Sequence, residues 1–142
     1  MKKYFIFLIA ILIFVFFSSS AFASCNLNPE RWEWINSTDK MGVFIDKYTI
    51  KQKSYNIYEF WMANYCPNGC EIYNGENYHF TKCYIDFNKN AIANSLGIVR
   101  DSQGNVIKEW SNNHLKYLKL EPIYPGSIAE DIAMSLRRMI KN

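Results

Sequence analysis

The residues predict an α+β domain, a twisted antiparallel β-sheet (a meander) packed against a C-terminal α-helix. Three observations point there. Short segments rich in aromatic and β-branched residues recur between turn signals from Arg31 to Trp110, with no helical period among them. The last segment, "PGSIAEDIAMSLRRMIKN", changes period: Ile128, Ile132, Leu136 and Ile140 recur every fourth residue, with Ala129, Ala133 and Met139 beside them. A meander alone leaves one apolar face in water, and one amphipathic helix is enough to cover it.

The elements follow in chain order. In "RWEWI", Trp32 and Trp34 share one face of a strand; "NSTDK" supplies turn residues and "GVFID" returns as a second strand. "SYNIYEFWMANYC", Ser54 to Cys66, is apolar and aromatic at both parities, as a strand covered on both faces reads. "NYHFTKCYIDF" is the fourth strand. "SLGIVRDSQGNVIKEW" is the clearest hairpin, Ile98 and Val99 leading into the polar turn "DSQGN" and Val106 and Ile107 leading out. Pro125 and Gly126 break the chain before the helix. Ser127 and Glu130 form a capping box, and Arg137, Arg138 and Lys141 complement the dipole in its last turns.

The chain opens "MKKYFIFLIAILIFVFFSSSAFASC": two lysines, an unbroken apolar run from Tyr4 to Phe17, then serines and Ala-Phe-Ala. That order predicts a secretory signal peptide over residues 1–23, cleaved after Ala23, and a single exported domain over 24–142. The apolar run falls short of the about 20 residues a spanning helix needs. Cys25, so close behind an export signal, is the one residue that could carry a lipid anchor, although Phe22 stands where lipoprotein signals usually carry Leu. Without the signal, Lys2 and Lys3 are gone, and 14 basic residues face 13 acidic ones over the remaining 119. No nucleic-acid footprint survives that subtraction. The expected location is the periplasm, the cell surface or the medium.

Export gives the cysteines their reading. Cys66, Cys70, His79 and Cys83 would suit a zinc ion by residue type, but their spacing fits no common zinc knuckle or ribbon. Outside the cytoplasm, four cysteines in a short chain read first as two bridges. "CPNGC" places Pro67, Asn68 and Gly69 as a three-residue hairpin loop that sets Cys66 opposite Cys70, which leaves Cys25 to pair with Cys83.

Candidate chemistry is sparse. His79 and Cys83 share a strand face, the geometry a secreted thiol enzyme would need. The Ser127 hydroxyl is committed to capping. The acids Glu33, Asp46, Glu59 and Asp86 are scattered, whereas glycoside hydrolysis needs two that face each other. The chain is therefore expected not to be an enzyme and to bind no cofactor or metal. Aromatics are the richer signal. Trp32, Trp34, Trp61 and Trp110, with six tyrosines between Tyr55 and Tyr84, exceed what one small core requires. About two thirds should pack inside, Trp61 first, and the rest should reach the surface, where Trp and Tyr serve as contact anchors or stack on sugars. Trp32, Trp34, Tyr73 and Tyr78 are the expected binding surface.

"RWEWINSTDKMGVFIDKYTI", a strand bearing Trp61, "IVRDSQGNVI" and "EPIYPGSIAEDI" together resemble the surface-adhesin protein E family and its exported relatives. The matching positions are Trp32, Ile35, Phe44, Asp46 and Ile50, the hairpin Asp101 to Gly104, and Ile123, Pro125, Ser127 and Glu130. The resemblance implies a small α+β domain at the cell surface that binds host extracellular-matrix proteins and carries no catalytic residues. The expectation is thus an exported, non-enzymatic, adhesin-like protein with a protein or glycan ligand at the cell surface. A membrane contact would come only through a lipidated Cys25, and no residue pattern sets an oligomeric state. The rival expectation is a small structural or assembly component of the envelope.

Overall fold

A computed structural model describes residues 26–70, 75–111 and 118–141. Eight strands form one open, antiparallel sheet: β1 (Trp32–Ser37), β2 (Gly42–Asp46), β3 (Lys51–Ser54), β4 (Ile57–Cys70), β5 (Glu76–Asp86), β6 (Ala91–Arg100), β7 (Val106–Ser111) and β8 (Glu121–Pro122). The order across the sheet is β1-β2-β4-β5-β6-β7, with β3 paired to β4 and β8 to β6. Among the described residues one α-helix follows the strands, α1 (Ile128–Lys141). This is the α+β meander the residue pattern predicts.

The long strand β4 organises the sheet. Its second half pairs with β2, Phe44 opposite Ala63, and its first half pairs with β3, Lys51 opposite Glu59. Between β2 and β3 lies a 3-10 turn, Lys47–Thr49, capped by the Asp46 carboxylate, which accepts from the Tyr48 amide. β3 is fully exposed and polar, "KQKS", so no apolar alternation announces it. It exists because Tyr55 and Asn56 form a two-residue hairpin, Asn56 at a left-handed φ of 57°, that folds it back onto β4.

Alternation along β4 and β5 gives the two faces different jobs. Toward α1 point Val43, Ile45, Phe60, Cys83 and Ile85, which enclose Ile132, Ala133 and Leu136 of the helix. Leu136 and Ile85 are wholly buried there. Ser127 caps α1 through its Oγ, which accepts from the Glu130 amide at 3.3 Å, while Glu130 accepts from the amide of Gly126 rather than that of Ser127. The basic end of the helix does more than complement its dipole: Arg138 pairs with Glu33 of β1 at 2.7 Å, and the Arg137 guanidinium lies 4.6 Å over the Phe87 ring.

The "CPNGC" stretch departs from expectation. Gly69 has a positive φ, 79°, as a turn glycine does, but the chain does not reverse there. Tyr65 opposes Tyr78 and Cys70 opposes Glu76, so residues 66–69 are an out-of-register excursion within β4, and the reversal follows Cys70. The bridge between Cys66 and Cys70, whose Cα atoms are 5.4 Å apart, closes that excursion instead of linking two strands. A tight Asn-Gly hairpin there would need β5 to begin at once. Instead its ladder begins at Glu76, where a Cβ on Gly69 would run into the Gly75 carbonyl.

Candidate functional site

The face of the sheet away from α1 collects the aromatic residues. Trp32 opposes Asp46 and Trp34 opposes Phe44 across β1 and β2, so all four side chains lie on one face. Beyond them Ala63 opposes Phe80 and Tyr65 opposes Tyr78. The rings touch in sequence: Trp32 and Phe80 at 5.6 Å, Phe80 and Tyr78 at 6.1 Å, Tyr78 and Tyr65 at 4.9 Å between centroids. The segment Asn26 to Arg31 straps across this face. The Asn26 amide donates to the Tyr78 hydroxyl at 3.1 Å, Leu27 packs among the rings, and Arg31 turns its guanidinium to Asp46 at 2.6 Å.

Between strap and sheet lies an open groove of about 660 Å³, lined by Leu27, Pro29, Trp32, Glu33, Trp34, Phe44 and Lys47. Trp34 forms its open wall and is 54% exposed. Of the expected surface residues, Trp32 and Trp34 thus stand together at one groove. Tyr78 is on the same face but buried under the strap, and Tyr73 lies outside the described residues. Trp61, expected in the core, is only half-buried, because its parity on β4 is that of Ala63 and turns it away from the helix.

Further along this face is a charged cluster. Glu59, 7% exposed, accepts from the Tyr84 hydroxyl, with Lys82 at 3.2 Å and Lys53 at 3.9 Å. Burial pushes its carboxyl up, but the Tyr84 hydroxyl and the two ammonium groups together hold it below its ordinary value. Burial and the bond to Glu59 push the Tyr84 phenol up to about 12. An open concavity of about 380 Å³ adjoins the cluster, with Lys53, Tyr84, Asp86, Lys89 and Leu118 in its walls.

The helix side holds His79, Thr81 and Cys83 along β5. The His79 Nδ1 is 3.4 Å from the Thr81 hydroxyl, and burial holds the imidazole below its ordinary pKa. Cys83 is wholly buried, has no disulfide partner among the described residues, and its Sγ donates to Asn94 Oδ1 at 3.3 Å. Burial raises it to about 12, so at neutral pH it is protonated and shut away from solvent, the reverse of a reactive thiolate. Cys25, the expected partner of Cys83, and the signal segment lie outside the described residues. Among the described residues no three His, Cys, Asp or Glu side chains converge on a metal position, and no helix is long and apolar enough to cross a membrane.

No protein-family model matches the chain, and no curated protein or solved structure is significantly similar to it.

Proposed function

We infer that the chain is an exported, non-enzymatic binding protein, adhesin-like in role, that contacts a protein or glycan of the host surface or matrix through the face bearing Trp32 and Trp34. The observation that carries this reading is the half-exposed Trp34, set beside Trp32 in an open groove on the sheet face away from the helix. An indole spent on packing would be covered, as Phe60 is. Aromatic anchors ringed by polar groups are the usual centre of a contact surface. The signal-like leader and the resemblance to the surface-adhesin protein E family add support for the location and the role.

Trp34→Ala tests it. Because the side chain is half in solvent, the variant should keep the melting temperature of the native protein within a few degrees. Its binding to cells, matrix proteins or glycans presented in an array should fall at least about tenfold. Unchanged binding across every presented surface would remove this face as the contact site.

A further inference from the structure

The geometry points to an anionic polysaccharide, a chain of sugars bearing carboxylate or sulfate groups, as the ligand of this face, an inference that rests on the binding reading above. After loss of the leader the protein is nearly neutral, yet its cations are not spread evenly. Over β1 to β5 this one face carries Arg31, Lys47, Lys51, Lys53 and Lys82. Arg31 stands over Trp32, Lys47 lines the groove, Lys51 opposes Glu59, and Lys53 and Lys82 flank it. The acids of the same stretch of sheet are Asp46, Glu59 and Asp86, all buried and each with a cation beside it, Arg31 at 2.6 Å, Lys82 at 3.2 Å and Lys89 at 3.9 Å, and Glu33 at the groove is paired with Arg138 at 2.7 Å. Glu30 of the strap, Glu76 and Glu109 lie toward the margins. Lys47 stands at the groove beside Trp34 and Lys51 lies across from Glu59, neither in an ion pair among the described residues, and Lys53 is held only at 3.9 Å.

Rings and cations together select the ligand class. The C–H face of a pyranose stacks on a half-exposed indole, and the indoles here are Trp34, Trp32 and Trp61. Carboxylates or sulfates along the same ligand meet lysine ammonium groups, compact point charges with three rotatable donors each. Two open concavities, one aromatic beside Lys47 and one holding Lys53 and Lys89 with the buried Asp86, suit an extended chain rather than a compact small molecule. A lipid surface is less suited: Trp32 and Phe80 lie half-buried in mutual contact instead of projecting as an insertion edge would require.

The test uses the full exported protein with three probes at matched ionic strength: heparin, neutral amylose, and vesicles containing phosphatidylglycerol. Binding to heparin, weakened by added salt and exceeding binding to either other probe, is the expected result. Lys47→Ala/Lys53→Ala should weaken heparin binding about tenfold, whereas Lys108→Ala/Lys141→Ala, which removes the same charge from elsewhere, should leave it within about twofold. In case Trp34→Ala disturbs β1, the tryptophan fluorescence change on adding heparin gives a second readout, and Trp34→Phe should diminish it. Equal loss in both lysine pairs, equal affinity for amylose, or binding to vesicles alone would overturn the inference. If Trp34→Ala abolishes binding to cells or matrix while heparin neither binds nor competes, the ligand class is refuted and the contact face stands. If that variant retains all binding, the contact face itself falls.

Discussion

At the scale of single residues, burial decides what the reactive side chains can do. Cys83 and His79 look from their spacing like a nucleophile and its base, two strand positions with one residue of the same parity between them. The fold puts the thiol under α1, where burial raises it to about 12 and the S–H donates a hydrogen bond to the Asn94 side-chain oxygen. In native protein Cys83 should therefore resist alkylation by iodoacetamide at pH 8 and become modified only in guanidinium, with peptide mass mapping as the readout; rapid native labelling at Cys83 would contradict the burial. Trp110 shows the same dependence on context. Its indole lies directly on Gly97, which opposes it across β6 and β7 and leaves no room there for a Cβ. A lone glycine at 97 reads in sequence as a weak spot in a strand, and only the packed neighbour gives it a reason.

At the scale of elements, those with a strong period were legible and those without one were not. The four-residue recurrence from Ile128 to Ile140 located α1, and Ser127 with Glu130 located its start, because both signals are local. Ser127→Ala should lower stability by about 1 kcal/mol, read as a shift in the urea midpoint at unchanged slope. No shift would mean that the Gly126 to Glu130 bond alone holds that end. β3 has no apolar residue and β8 only two residues, so neither has a pattern to read; each is held by a partner, β3 by its hairpin with β4 and β8 by pairing with Ala91 and Ile92. The "CPNGC" excursion illustrates a different failure. Proline, asparagine and glycine do mark a bend, but whether a bend reverses a strand or bulges it depends on where the next strand finds its register.

At the scale of the whole molecule, the sheet divides the chain into a packed half under α1 and a half that meets solvent through rings and charges. Buried titratable groups tie that architecture to pH. His79 is held below its ordinary 6.5 and Glu59 below its ordinary 4.5, so in both cases the unfolded chain takes up the proton first. Their stabilising contributions are complete above those ordinary values and are lost as pH falls through the folded ones. The melting temperature should accordingly drop as pH is lowered from 7 to 5, before most carboxylates titrate, and His79→Asn should flatten that part of the curve; a native protein equally stable at both pH values would disprove it. What the residues alone determined is what local repetition can encode: the alternation of the strands, the amphipathic helix, the cap, the left-handed Gly69 and the excess of aromatic side chains. Only the tertiary structure decided which face of β4 the helix would take, and with it that Phe60 is core while Trp61 is not. It also brought Trp32 and Trp34 beside Lys47, and Glu59 between Lys53 and Lys82, from segments separated in the chain. Those pairings depend on strand register, which is settled by contacts between distant segments, and a period read along one strand says nothing about its neighbour's offset.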